Sequence, residues 1–221
     1  RGRGTGLAVA LVPLFIVWTL ARFYATPTIF AYDPFSGFYP GALYDERIPL
    51  GLPLVTYRIG TLGWIIALAS LVTLGWSPGS IFTRNALRAR VPALVTALAG
   101  VALGLGIYLA GPSLGHRHDA GDIAHKLGGE TWSRRCVVRY DRGIDARQAR
   151  ATARDCDTRI AQLESFYGVH VSRRVTVFLF ANADQKQSLM GAADTYIAKP
   201  WRHEVYLQYA AFPHPVLKHE L

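Results

Sequence analysis

Acidic residues are nearly missing from the first half of the chain: between Arg1 and Gly111 only Asp33, Asp45 and Glu46 carry a carboxylate, and twelve acids lie beyond. Of the twenty-four lysines and arginines, eight share that first half and sixteen follow it. So poor a supply of charge excludes a solvated surface over residues 1–111, whereas the remainder has a solvent-facing composition. Charge is also missing from inside the long apolar runs, which argues against an ion or substrate path through them. Cysteine occurs twice, enough for one disulfide at most. The averages of 51% hydrophobic and 18% charged residues conceal two unlike halves.

What the first half does contain is apolar length. A hydrocarbon layer of about 30 Å needs about 20 helical residues. Residues 5–21, between Arg3 and Arg22, residues 59–76, after Arg58, and residues 91–110, free of charge, reach that scale. The pattern predicts an all-α transmembrane region of three helices over residues 1–111; buried core helices of a soluble protein are the alternative. A cleaved signal peptide would explain only the first run, which has no small-residue cleavage site after it, and Pro13 is tolerated in a membrane helix.

Short loops rich in lysine and arginine stay in the cytoplasm. Arg1 and Arg3 precede the first run, and Arg84, Arg88 and Arg90 crowd the loop between the second and third. The loop between Arg22 and Arg58 balances its arginines with acids and is dense in aromatics. An odd number of crossings then predicts an extracytoplasmic location for everything after Gly111, which for a bacterium means an inner-membrane protein with a periplasmic domain.

The aromatic loop, residues 24–47, carries turn signals at Asp33-Pro34, Ser36-Gly37 and Pro40-Gly41, and its rings suit the headgroup layer. A part in a substrate channel is the other reading. Gly100 and Gly104 offer a small-residue face for helix packing or self-association, although glycine is frequent in membrane helices anyway. Residues 112–133 read as a linker. Their histidines, His116, His118 and His125, lack cysteine or carboxylate partners at ligand spacing, which argues against a metal site.

From Arg134 the period becomes two: Cys136, Val138 and Tyr140 alternate with Arg135, Val137 and Arg139, as in a half-buried strand. Asp145, with Gln148 three residues on, resembles a capping box, and Gly168 offers a stop. Between them Ala149, Ala153, Cys156, Ile160, Leu163 and Tyr167 form an apolar helical stripe, with arginines on the other sides. Residues 175–180, apolar on both faces, suit an interior strand. A short helix near 184–190 and a strand near 204–209 follow, and Pro215 reads as the first position of a last helix. Cys136 faces inward on the strand and Cys156 lies on the helix stripe. Outside the cytoplasm a disulfide would persist. Two free buried thiols are the alternative, slightly preferred because a bridge needs Cα atoms within about 7 Å, which spacing does not establish.

His219-Glu220-Leu221 begins the pattern His-Glu-x-x-His, in which two histidines one turn apart bind zinc and the glutamate acts on bound water. The second histidine would fall two positions beyond Leu221. His203-Glu204 is a decoy, with Leu207 where the second ligand would stand. The order of elements resembles the peptidase-MA-like domains of the gluzincin zinc metallopeptidases over residues 134–221. The resemblance is carried by the helix closed at Phe166-Tyr167-Gly168, the strand 175–180, the segment 191–197, the strand Val205-Tyr206-Leu207-Gln208 and the lead from Pro215 into His219-Glu220. It implies an α+β gluzincin-like domain, with His219 the first zinc ligand and Glu220 the general base. The remaining ligands are expected beyond Leu221. It also implies attack of zinc-activated water on a peptide carbonyl, and a substrate backbone aligned along an edge strand lying between Gly191 and Gln208. The chain begins with Arg1 rather than Met and stops within the motif, which reads as truncation at both ends and as inactivity of the piece alone.

The leading function is therefore a membrane-anchored zinc metallopeptidase acting on peptides or proteins. The alternative is a non-catalytic binding or sensor module on a membrane anchor, and a transport component comes third. Nucleic acid is not an expected partner: the pI of about 9.8 reflects arginines flanking the apolar runs, and the second half is sixteen basic against twelve acidic.

Overall fold

A computed structural model describes residues 2–35, 37–39, 51–76 and 84–221, with side chains from residue 12 onward except at 75–76 and 84–89. The turn pair Pro40-Gly41, the acids Asp45 and Glu46, and the side chains of Arg84 and Arg88 lie outside the described residues. The chain forms two units, one from Arg1–Ala21, Ala31–Tyr39 and Pro49–Arg117, the other including Arg22–Phe30 and His118–Leu221.

The first unit holds most of α1 (Gly2–Ala25), a hairpin of β1 (Ala31–Asp33) and β2 (Gly37–Tyr39), and the helices α2 (Leu52–Trp76) and α3 (Arg84–Leu109). Two helices are long and apolar enough to cross a membrane, over Leu52–Leu74 and Arg90–Leu109. Of α1, the stretch with described side chains, Val12–Ala25, is apolar but shorter. Helix α2 starts seven residues before the expected run and passes through Arg58, whose guanidinium reaches the Pro34 carbonyl at 2.7 Å. That bond satisfies a charge that otherwise ends an apolar segment.

α2 and α3 meet along glycine. A Cβ on Gly100 would stand 2.6 Å from the Gly63 carbonyl oxygen, and one on Gly63 would stand 2.9 Å from Gly100 O and Gly104 N. The two backbones therefore touch, as small residues allow in membrane helices. Large side chains such as Leu62, Leu68, Leu94 and Leu98 point outward and are exposed, and only 17% of either apolar window is buried. A core helix of a soluble protein would be mostly covered. The Gly100–Gly104 face, read from sequence as a surface for helix packing or self-association, packs against α2 of the same chain.

In the second unit five strands, β3 (Gly128–Trp132), β4 (Cys136–Asp141), β5 (Val175–Phe180), β6 (Ile197–Lys199) and β7 (Glu204–Gln208), form a mixed sheet in the order β3-β4-β5-β7-β6. The inner three run parallel, and the two edges are antiparallel. Alternation sorts the side chains. Cys136, Val138, Val177, Leu179, Val205 and Leu207 pack beneath α5 (Ala146–Tyr167) and α7 (Leu217–Glu220). Phe178, Phe180 and Tyr206 pack on the other face with α4 (Ala120–Leu127) and α6 (Ala183–Met190). The unit is thus α+β, with an interior strand β5 covered above and below.

Two expectations change. Within residues 112–133, read as a linker, residues 120–132 belong to the fold: Asp119 and Asp122 close a capping box that starts α4, Gly128 ends it in a left-handed conformation (φ 75°), and β3 pairs with β4 along its length. The slight preference for free thiols also falls. Cys136 and Cys156 are bonded, with Cα atoms 6.3 Å apart, because α5 packs directly over the start of β4. Asp145 caps α5 by accepting from Arg147 N rather than through a box with Gln148.

Residues 22–30 are tied to the end of β6. The buried Lys199 ammonium donates to the carbonyls of Phe23 (2.9 Å), Thr26 (2.7 Å) and Thr28 (3.2 Å). Trp201 Nε1 donates to Tyr24 O at 2.9 Å, and Arg202 to Ala25 O. Five carbonyls in and just beyond the last turn of α1, a place where helices leave acceptors unmet, are thus supplied from one short segment. Burial, followed by the neighbouring Arg202, pushes the Lys199 amine down to about 8. Lys199→Met leaves three carbonyls without their donor, and we expect a loss of about 2–3 kcal/mol, with faster hydrogen exchange over residues 22–30. Between pH 8 and the ordinary 10.5 the unfolded chain holds the extra proton, so this lysine's contribution to stability rises with pH across that window. The difference between wild-type and K199M unfolding midpoints tracks it; a difference that stays flat from pH 8 to 10.5 refutes the assignment.

Candidate functional site

α7 owes its position to a histidine. Leaving β7 at Gln208, the chain returns through His214, whose buried ring donates from Nε2 to Gln208 O at 2.9 Å and accepts at Nδ1 from Val216 N at 3.3 Å. The ring meets Tyr196 edge-on, with centroids 6.2 Å apart, and Gln208 Nε2 donates to Tyr196 Oη at 3.3 Å. This network joins the approach to β6, the end of β7 and the start of α7. Pro215 is not the first helical residue; Val216 caps α7 and Leu217 opens it.

Leu217 is fully buried against Cys156, Ile160 and Leu207, and Leu221 packs on the same cluster. With core contacts at 217 and 221, the residues between them turn away from the core. His219 is exposed and Glu220 half-buried. They stand next to one another on α7, as the sequence pattern requires, with His219 offering one metal donor. Among the described residues no three His, Cys, Asp or Glu side chains converge on a common point. A catalytic zinc takes three protein ligands, of which His219 offers one.

No protein-family model, curated protein or solved structure matches this chain.

The remaining sequence candidates have structural partners. Glu204 of the decoy pair accepts from Arg202 Nε (2.5 Å) and Nη2 (3.0 Å) and from Tyr206 Oη (2.6 Å), and His203 occupies a left-handed turn at φ 54°. Burial, reinforced by Glu204, raises the Tyr206 phenol. His116 lies in the first unit, against Thr56 Oγ1 (2.8 Å) and the Pro53 carbonyl (3.0 Å). His118 is buried in the second unit beside Lys126 Nζ (3.4 Å); burial first and then that lysine bring its imidazole down to about 4. His125, exposed, borders a depression of about 730 Å³ on the α4–β3 side. Cations there are engaged: Arg139 with Glu130 at 2.5 Å and Arg142 with the Gly128 carbonyl at 3.1 Å.

Tyr196, Gln208 and His214 are the positioning residues that sequence reasoning passed over. Only the Pro-His-Pro run at 213–215 hints at a pinned histidine; its partners, scattered over 196–216, follow no period. Gln208 Oε1 is buried and meets no donor, which leaves an open acceptor at the end of β7 from which α7 departs.

Proposed function

We propose that this chain is the membrane-anchored, extracytoplasmic part of a gluzincin-like zinc metallopeptidase, with α7 as the opening of its metal helix. One observation carries the reading: His219-Glu220 sits on a helix seated in the core by Leu217 directly after β7, whose neighbour is the short antiparallel edge strand β6. In this reading His219 is the first zinc ligand, Glu220 the general base, and β6 the edge along which a peptide backbone aligns.

Membrane anchorage is supported by the outward apolar faces and glycine seam of α2 and α3, with α1 as the proposed third crossing. The Cys136–Cys156 bond supports a location outside the reducing cytoplasm, in a bacterium the periplasmic side of the inner membrane.

The test is the reading frame past Leu221 and the protein it encodes. A histidine two positions on, stoichiometric zinc surviving dialysis, and loss of that zinc in His219→Ala are the expected results. Glu220→Gln should keep the metal and lower peptide hydrolysis by about a hundredfold or more. A non-coordinating side chain at that position, or no retained zinc, removes the enzyme and leaves the non-catalytic binding or sensor module.

A further inference from the structure

Exposed large apolar side chains in the second unit are unevenly placed. Of eight among its described residues, Tyr24, Trp132, Phe166, Tyr167, Val169 and Trp201 gather where β4, β5 and β7 begin; only Tyr209 and Phe212 lie elsewhere. Topology puts them there. Trp132 pairs with Val137 at the start of β4. Helix α5 runs back from the end of β4, so its last turn, with Phe166 80% and Tyr167 66% exposed, comes out beside the start of β5. The turn at Pro200–Arg202 leads into β7, where Thr176 N donates to His203 O at 2.8 Å.

Charge at this end is sorted as well. Three carboxylates here are buried or half-buried and engaged, and the exposed Glu130 accepts from Trp132 Nε1 and pairs with Arg139. Asp157 accepts from Ser133 Oγ and from Arg134 N and Arg135 N. Glu164 pairs with Arg135 (2.8 Å) and His170 (2.9 Å), and Glu204 with Arg202. Arg134, Arg173 and Arg174 are exposed, and none has a carboxylate partner among the described residues. Arg174 lies over the Trp132 ring, 5.7 Å from its centroid. The last turn of α1 is held at the same end by Lys199, Trp201 and Arg202.

Tryptophan and tyrosine with unpaired arginine is the composition of a membrane–water interface. We propose that this end of the second unit rests on a bilayer, its rings in the headgroup layer and Arg134, Arg173 and Arg174 against anionic lipid headgroups. The proposal rests on the membrane anchorage argued above. Charge complementarity selects the occupant: three cations without counter-ions beside aromatic rings match anionic phospholipid. The ends of β5 and β7 then lie away from the lipid.

The experiment uses the full chain in nanodiscs of phosphatidylcholine, alone or mixed with phosphatidylglycerol. Because both native cysteines are bonded, a fluorophore can be placed singly at Ser172→Cys (this end), Asp184→Cys (the opposite end) or Leu98→Cys (α3), and quenched by doxyl lipids. Headgroup-labelled lipid should quench the Ser172 label and spare the Asp184 label, more so in anionic discs. Adding Arg173→Gln and Arg174→Gln should shift the docked-to-free ratio about thirtyfold, each cation contributing about fivefold near an anionic surface. Equal quenching at Ser172 and Asp184 overturns the proposal, provided acyl-chain quenchers reach the Leu98 label. A Leu98 label that escapes those quenchers defeats the membrane reading itself. Quenching at Ser172 that ignores both lipid charge and the arginine changes overturns the electrostatic assignment.

Discussion

Breaking the Cys136–Cys156 bond, by reductant or by the paired change to alanine, should lower the stability of the second unit by about 3 kcal/mol. The bridge spans 20 residues, and closing a loop of that size removes about this much entropy from the unfolded chain. Both sulfurs are fully buried in the cluster formed with Val138, Ile160, Val177 and Leu217, so the folded state gains no compensating freedom when the bond opens. In a thermal melt the effect is roughly 10–20 °C for a domain of this size. Oxidised and reduced proteins that melt together would show the crosslink to be redundant. The same bond stands behind α7, since Leu217 packs on the cluster that contains it, so reduction should also loosen the helix bearing His219.

Gly100→Ala should separate α2 from α3, with a loss of about 1–3 kcal/mol. The added methyl would meet backbone on the facing helix, Gly63 O at 2.6 Å and Ala67 N at 2.8 Å. Neither neighbour is a side chain that can swing aside, so the whole helix must move. Gly106 is the internal control, because a Cβ there meets nothing within 4 Å. Gly106→Ala should be neutral or slightly stabilising, as alanine favours helix over glycine by about 1 kcal/mol. Spin-label distances between the exposed positions 68 and 94 report the separation. An unchanged distance in G100A, or an equal change in both variants, would mean that the seam does not set the spacing.

Much of the second unit was legible because its elements obey one period at a time. The alternation from Cys136, the apolar stripe of α5 ending at Gly168 and the doubly apolar β5 all appear where the pattern puts them. What escaped has no pattern of its own. β3, Gly-Gly-Glu-Thr-Trp, has weak strand propensity and exists through its pairing with β4. α4 is eight residues long and contains Gly121, and its capping box uses Asp122 where glutamate or glutamine would be the usual signal. β6, three residues long, is defined by its partner β7. At the site, His219-Glu220 could be seen as letters. The grip of His214, Gln208 and Tyr196 on α7 could not, because it is made of contacts between segments that share no spacing. Lys199 was hidden for the same reason: its three acceptors lie more than 170 residues earlier in the chain.

Between the two bonded cysteines, helix α5 presents Arg147, Arg150 and Arg154 on its exposed side. A protease specific for basic residues that cuts there would nick the polypeptide without releasing either piece, because the sulfur link spans the break. On a gel run without reductant the nicked molecule would migrate as a single species, and the part carrying His219 would stay joined to the apolar helices of the first unit.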